Sequence, residues 1–432
     1  MDQKAIVVLL VVIMTIPVFS GCLGENEPGN EKPLVEIEYP PDGATVSSLV
    51  MISGSAYDPD GDETLVNVEV SINGNNWYIV EGTTKWSFDW RTYDVDDGFY
   101  SILVRAWDGT IYSDVQEINL ILDNPDTVES GSHKWAIFIA AANFPEDNET
   151  KLGNGGLYLA EEIAAFFIEN YGYSTSNVFI LFDDGWIRED NGYGSRIKTL
   201  QERVHLYNIT YGGATKQNVE ASLTYIVEQS NKQDDSEVFI WIFGHGCGDQ
   251  DNTLTGGKIL QRSEIFLWDD TLKDKELGEL LSYLRSKKAC VLVDACFAGG
   301  FADKTIFNLP TFFLLKSNLP KLGRIIISAT SKFRVGYAST TQGPLFSLIW
   351  LEGLKTGNAD GFRPGIANIG RRTILRFFKN GKTSVEEAFY YARYIFRRDK
   401  TLEEYKRMEP QISDQYPNKG LLRSQGQMHL GE

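Results

Sequence analysis

The sequence predicts an α/β domain on a mostly parallel sheet flanked by helices, preceded by an all-β sandwich. Three observations predict this. Short strand-like runs separated by turn signals fill residues 33–123. From Trp135 onward, strand patterns alternate with helical ones. Two apolar runs, Val238–Phe243 and Cys290–Val293, are continuous rather than alternating, as strands buried on both faces are.

The chain has 432 residues and a formal net charge of −18. That length suggests two or three domains. Its 42% hydrophobic and 23% charged residues are those of a globular protein. The negative balance argues against nucleic acid as a partner and fits an acidic, solvated surface.

Residues 1–21 read as a signal peptide: Lys4, then a largely apolar stretch from Ala5 to Phe19, too short for a comfortable membrane span. Val18-Phe19-Ser20-Gly21-Cys22 looks like a lipoprotein processing site. Cleavage before Cys22 would leave a lipidated cysteine; a plain uncleaved anchor is the alternative. Both imply an exported, membrane-anchored surface protein. Residues 22–32 form the lipid-anchored tether, polar from Gly24 to Lys32.

In 33–123 the expected strands are Val35–Tyr39, Leu49–Gly54, Val66–Ile72, Trp77–Val80, Trp86–Trp90, Tyr100–Trp107 and Val115–Leu122. Turn signals such as Pro41-Asp42-Gly43, Asn73-Gly74 and Asp96-Asp97-Gly98 separate them. This resembles the immunoglobulin-like modules of surface proteins, without a cysteine pair. Trp77, Trp86, Trp90 and Trp107 read as core and strand partners, or as a glycan platform if exposed. Asp58, Asp60, Asp62 and Glu63 make calcium a possible ligand, but the segment lacks the spacing of a twelve-residue calcium loop. An acidic turn without metal is the simpler reading.

Residues 124–134 read as a linker. Strands are then expected at Trp135–Ala141, Asn177–Phe182, Val238–Phe243, Cys290–Val293 and Gly323–Ala329. Helices are expected at Leu157–Asn170, Lys216–Gln229, Lys275–Ser286, Leu345–Thr356 and Ser384–Arg397, the last capped by Thr383 or Ser384. The domain extends to residue 414, and 415–432 reads as a C-terminal tail.

The chemistry sits where two strands end. Val238–Phe243 runs into Gly244-His245-Gly246-Cys247-Gly248, and Cys290–Val293 into Asp294-Ala295-Cys296-Phe297-Ala298-Gly299-Gly300. Open α/β sheets collect chemistry beyond the carboxyl ends of their strands. If these strands are parallel neighbours, His245 and Cys296 can meet. A thiol needs a base or positive charge to act as nucleophile, and an imidazole supplies that and later protonates a leaving amine.

This pair of motifs resembles the caspase-like cysteine peptidases, the group holding caspases, metacaspases, legumains and gingipains, over about Trp135 to Asp414. Thr215–Val219, Asp270–Leu277 and Gly343–Ser347 look legumain-like, whereas Asp294-Ala295-Cys296 looks metacaspase-like. The resemblance implies Cys296 as nucleophile, His245 as its partner, and the backbone N–H groups of Gly246 and Cys296 as the oxyanion hole. It also implies that Asp294 lines the first specificity pocket and selects Arg or Lys. Preference for Asn or Asp, as in legumains, is the competitor, and a structural carboxylate bonded to loop N–H groups is another reading. The Asp183-Asp184 pair could add charge to the pocket or be a solvated turn.

No zinc-like cluster is visible, and no cofactor is required. Cys290 reads as core; a Cys247–Cys296 disulfide is a minor alternative. His133, His205 and His429 read as surface residues. Lys304, Lys316 and Lys321 mark a self-cleavage loop if the chain is a zymogen. The leading function is a surface-anchored endopeptidase acting on protein or peptide substrates. A legumain-like transpeptidase or Asn-specific peptidase, and a catalytically silent adhesion protein, are the alternatives.

Overall fold

The computed structural model describes residues 30–93, 95–124, 133–143, 151–248, 262–304, 316–362, 379–417 and 426–432. The signal peptide, Cys22 and most of the tether lie outside them, as do most of the linker and part of the expected self-cleavage loop and tail.

The N-terminal module packs two antiparallel sheets. One orders Leu34–Tyr39 (β1), Leu49–Tyr57 (β3) and Lys85–Arg91 (β6); the other orders Thr45–Val46 (β2), Gln116–Leu122 (β8), Gly98–Trp107 (β7), Asn67–Ile72 (β4) and Trp77–Ile79 (β5), with β2 joining β8 in parallel. Alternation along the strands decides the core: Val50, Ile52, Trp86 and Trp90 turn inward with Val68, Val70 and Val104. Trp77 is only half-buried, under the Arg105 guanidinium. In the acidic turn, Asp58 Oδ1 accepts the Asp60 N–H at 2.9 Å, and Asp60 Oδ2 the Glu31 N–H at 2.7 Å.

The larger unit is built on a seven-stranded sheet. Its order is Thr210–Gly212 (β13), Val178–Phe182 (β10), Lys134–Ala141 (β9), Glu237–Gly244 (β14), Lys288–Asp294 (β18), Arg324–Ser328 (β19) and Gln411–Asp414 (β22). All neighbours are parallel except the β19–β22 pair. Both faces are covered. Helices Gly155–Tyr171, Leu345–Thr356 and Val385–Arg398 pack on one; Lys216–Ser230 and Asp274–Leu280 pack on the other. Every residue of β14 is buried, which is why its stretch Val238–Phe243 is apolar without a break rather than alternating.

Shorter pairs decorate the strand ends: Trp186–Arg188 (β11) with Arg196–Thr199 (β12), Gly246–Gly248 (β15) with Ser263–Phe266 (β16) and Thr271–Lys273 (β17), and Ala338–Ser339 (β20) with Gly343–Pro344 (β21). Ser384, not Thr383, caps its helix: its Oγ accepts the Glu387 N–H at 3.1 Å, and Glu387 Oε2 accepts the Ser384 N–H.

Two expectations are corrected. The helix predicted through Ser286 stops at Leu280 and tightens into a 3-10 turn, Leu281–Tyr283. The cause is Arg324, fully buried, whose guanidinium takes the carbonyls of Leu281 (2.6 Å), Leu284 and Leu319. Part of the expected tail, 426–432, packs onto the sheet instead, with Met428 and Leu430 buried. There the Gly431 N–H donates to Glu237 at 2.8 Å, beside the Lys288–Glu237 ion pair.

Candidate active site

β14 and β18 are adjacent and parallel, with Phe243 opposite Asp294. That register has a fixed offset of 51 (294 − 243), the same as the separation of His245 and Cys296 (296 − 245). His245 and Cys296 thus each follow the last pair of the two strands, Phe243 and Asp294, by two residues. Both are half-buried.

Gly246 binds the two strand ends together. A Cβ there would overlap the carbonyl oxygen of Cys296 and lie 3.0 Å from Ala295 Cβ. Only glycine lets the backbones approach this closely. Phe297, after Cys296, holds φ at +56 and donates its N–H to the Arg334 carbonyl at 2.8 Å. A left-handed non-glycine residue at this point is the kind of strain that clusters at functional sites.

The loop after β19 reaches over the thiol. The Gly336 N–H donates to Cys296 Sγ at 3.3 Å. Glu409 anchors that loop, accepting Arg334 Nη2 at 3.1 Å and Ser331 Oγ at 3.0 Å. Burial raises the Cys296 thiol pKa; the Gly336 N–H opposes the rise and the Asp294 charge adds to it. Sequence reasoning missed Gly336, because a lone glycine in a loop carries no motif.

Asp294 is not where the sequence reading aims it. Its side chain is buried, and Oδ2 accepts both the N–H (2.9 Å) and the Oγ–H (2.7 Å) of Ser347 in the first turn of Leu345–Thr356. Ser347 Oγ in turn accepts Trp241 Nε1–H at 2.9 Å. A carboxylate at a helix N-terminus gains from the orphan N–H groups and the helix dipole, which explains why it is held there. Burial still pushes its pKa up to about 7.

Asp183 and Asp184 form neither a solvated turn nor an open pocket wall, since both are buried. Asp183 Oδ1 accepts the N–H groups of Ala142 (2.7 Å) and Asn143 (3.1 Å), and Oδ2 accepts Asn143 Nδ2 at 2.8 Å. Ala141, just before them, lies opposite Gly244.

Cys247, Cys290 and Cys296 are all free thiols. Cys247 Sγ donates to Glu264 Oε1 at 3.1 Å, and Cys290 is fully buried in β18. His205 is less exposed than expected: it stacks on Tyr211 and bonds the Leu200 carbonyl. His429 Nδ1 is buried. Among the described residues, no three His, Cys, Asp or Glu gather as a metal site, and no helix is long and apolar enough to cross a membrane.

Residues 133–407, well over half of the chain, match the Caspase domain family. The chain belongs to that family. Residues 33–104 match the Bacterial Ig domain family. No curated protein matches the chain.

Among solved structures, caspase-1 from Spodoptera frugiperda aligns over 55% of this chain and 73% of its own, at 12% identity and a TM-score of 0.30. The endo-β-1,4-mannanase from Thermotoga petrophila aligns over 24% of this chain, at 17% identity and TM-score 0.20. The fibronectin(III)-like modules of CbhA from Clostridium thermocellum align over 22%, at 18% identity and TM-score 0.18. This chain spans 22% of the mannanase and 47% of the CbhA chain. The caspase domain supports a cysteine peptidase whose substrates are proteins or peptides.

Proposed function

We propose that this protein is a surface-anchored cysteine endopeptidase, held to the membrane by lipid on Cys22, that cleaves after basic residues with a His245/Cys296 dyad. The observation that carries the reading is the register of β14 and β18: their last pair, Phe243 and Asp294, precedes His245 and Cys296 by two residues each, at the carboxyl edge of the sheet.

Cys296 Sγ attacks the scissile carbonyl carbon. The C–N bond breaks, and the amine leaves with a proton from His245. Water then cleaves the thioester and returns free acid and thiol. The N–H groups of Gly246 and Cys296 are the proposed donors to the oxyanion.

Asp294 supports the basic preference electrostatically. Its charge raises the thiol pKa, so the two groups sense each other. A cationic side chain bound nearby would offset the buried carboxylate and favour the thiolate, so that a Lys or Arg substrate helps to activate its own nucleophile.

The test is hydrolysis of fluorogenic peptides by the chain beginning after Cys22, beside Cys296→Ala. The residue before the scissile bond is varied among Arg, Lys, Asn and Asp, with and without calcium. Cleavage after Arg or Lys that vanishes in the variant is the expected result. Cleavage after Asn keeps the nucleophile and removes the Asp294 assignment. No cleavage under any condition overturns the reading.

A further inference from the structure

The immunoglobulin-like module does not hang from the peptidase domain. The outer face of its three-stranded sheet is packed against it. On β3, Val50 and Ile52 point into the sandwich, whereas Leu49 belongs to the core of the larger unit. Met51, also buried, sits against Gly185, and Leu49 against Gly212; a Cβ on either glycine would overlap them. On β6, Ser87, Asp89 and Arg91 face the same way. Trp186 Nε1 donates to Ser87 Oγ at 3.0 Å. Asn218 Nδ2 donates to Asp89 Oδ2, and Arg91 Nη1 to Asn218 Oδ1 at 2.9 Å. Tyr93 stacks on Tyr225 with ring centroids 4.6 Å apart.

One of these contacts, Met51 on Gly185, falls on the turn Asp183–Gly185 at the end of β10, and Ser87 holds Trp186, the residue after it. Asp184 is gripped by Arg188 (2.7 and 2.5 Å) and Arg196 (2.9 and 2.6 Å). Arg196 also pairs with Glu81 of the module at 2.7 Å. Asp183 holds φ at +43, an uncommon conformation for a residue with a side chain. From there its carboxylate fixes Ala142 and Asn143, the continuation of the strand whose Ala141 lies opposite Gly244. His245 is the next residue.

We infer that the immunoglobulin-like module is a positioning element of the peptidase site: it holds the Asp183–Gly185 turn, and Asp183, a positioning residue, fixes the β9 end beside His245. This rests on the peptidase reading for its kinetic consequence, but not for the mechanical coupling itself.

The test uses the full chain carrying Leu49→Asp with Met51→Asp, two side chains that face the peptidase domain and not the sandwich core. A displacement of about 1 Å at a catalytic group is enough for a large rate loss, so kcat should fall roughly tenfold or more while KM stays within about threefold. Hydrogen exchange at the amides of Ala142 and Asn143 should quicken roughly tenfold as their local opening becomes easier. Asp183→Asn, with the interface intact, should show the same two effects. Should the double variant not fold, Glu81→Ala with Arg91→Ala removes only two polar contacts and should give the same changes at about threefold. Variants that fold and keep both kcat and amide protection overturn the inference. If the unaltered chain shows no Cys296-dependent hydrolysis, the peptidase reading fails, and the exchange measurement alone decides the coupling.

Discussion

Gly246 lies against the carbonyl of Cys296, so the residue after His245 is in backbone contact with Cys296. The obstacle to a Cβ is a carbonyl oxygen, not the end of a flexible side chain, so no rotamer change relieves it. Gly246→Ala must push the ends of β14 and β18 apart. We expect a stability loss of about 1–3 kcal/mol, the usual cost of overpacking. Peptide hydrolysis should fall roughly 100-fold, because a shift of about 1 Å would separate the proposed dyad. Thermal unfolding and kcat/KM on one preparation check both; an active Gly246→Ala protein would mean that the contact is not tight in solution.

Ser347 joins Asp294 to Trp241. Its hydroxyl donates to the carboxylate at 2.7 Å and accepts the indole N–H at 2.9 Å. All three residues are buried. Ser347→Ala strands one donor and removes one of two bonds to the acid, so unfolding free energy should drop by about 1–3 kcal/mol. A denaturant titration in which Ser347→Ala matches the unaltered chain would show that water replaces the hydroxyl.

The central strands were legible in the sequence for a physical reason. Val238–Phe243 in β14 and Cys290–Val293 in β18 are buried on both faces, so they read as unbroken apolar runs. The Ser384 cap was legible because capping is local. What was not legible depends on distant partners. Asp294 is held at a helix N-terminus by Ser347, 53 residues downstream. Asp183 and Asp184 read as a turn until Arg188, Arg196 and the amides after β9 are placed around them. β22 has only four residues, Gln411-Ile412-Ser413-Asp414, and becomes a strand by pairing with β19.

The buried acids set the direction of the stability–pH curve. Burial pushes Asp183, Asp294 and Glu386 up to about 7, and Asp89 up to about 6. Their unfolded values lie near 4. Between those limits the folded chain holds more protons than the unfolded one, so stability falls as pH rises. The contribution is fully present below about pH 4 and lost by about pH 7–8. The melting temperature should therefore decline from pH 5 to pH 8, and less steeply in Asp294→Asn. A melting temperature that rises over this range, or equal slopes in the two proteins, would contradict the assignment.

The two neighbours of the Cys296 thiol should act with opposite sign. The Asp294 charge raises the Cys296 pKa, and the Gly336 N–H lowers it. Asp294→Asn removes the first, so more thiolate forms at a given pH, and alkylation of Cys296 by iodoacetamide at pH 8 should quicken. Glu409→Ala removes the second indirectly. It frees Arg334 and Ser331, which hold the loop that delivers Gly336, and alkylation should slow. Each effect should be about two- to fivefold, since one pKa unit corresponds to tenfold and neither neighbour dominates burial. Mass spectrometry of the Cys296 peptide separates its labelling from that of half-buried Cys247. If Glu409→Ala instead quickened alkylation, the loop would act chiefly as a cover over the thiol, and its N–H would contribute little to the thiolate.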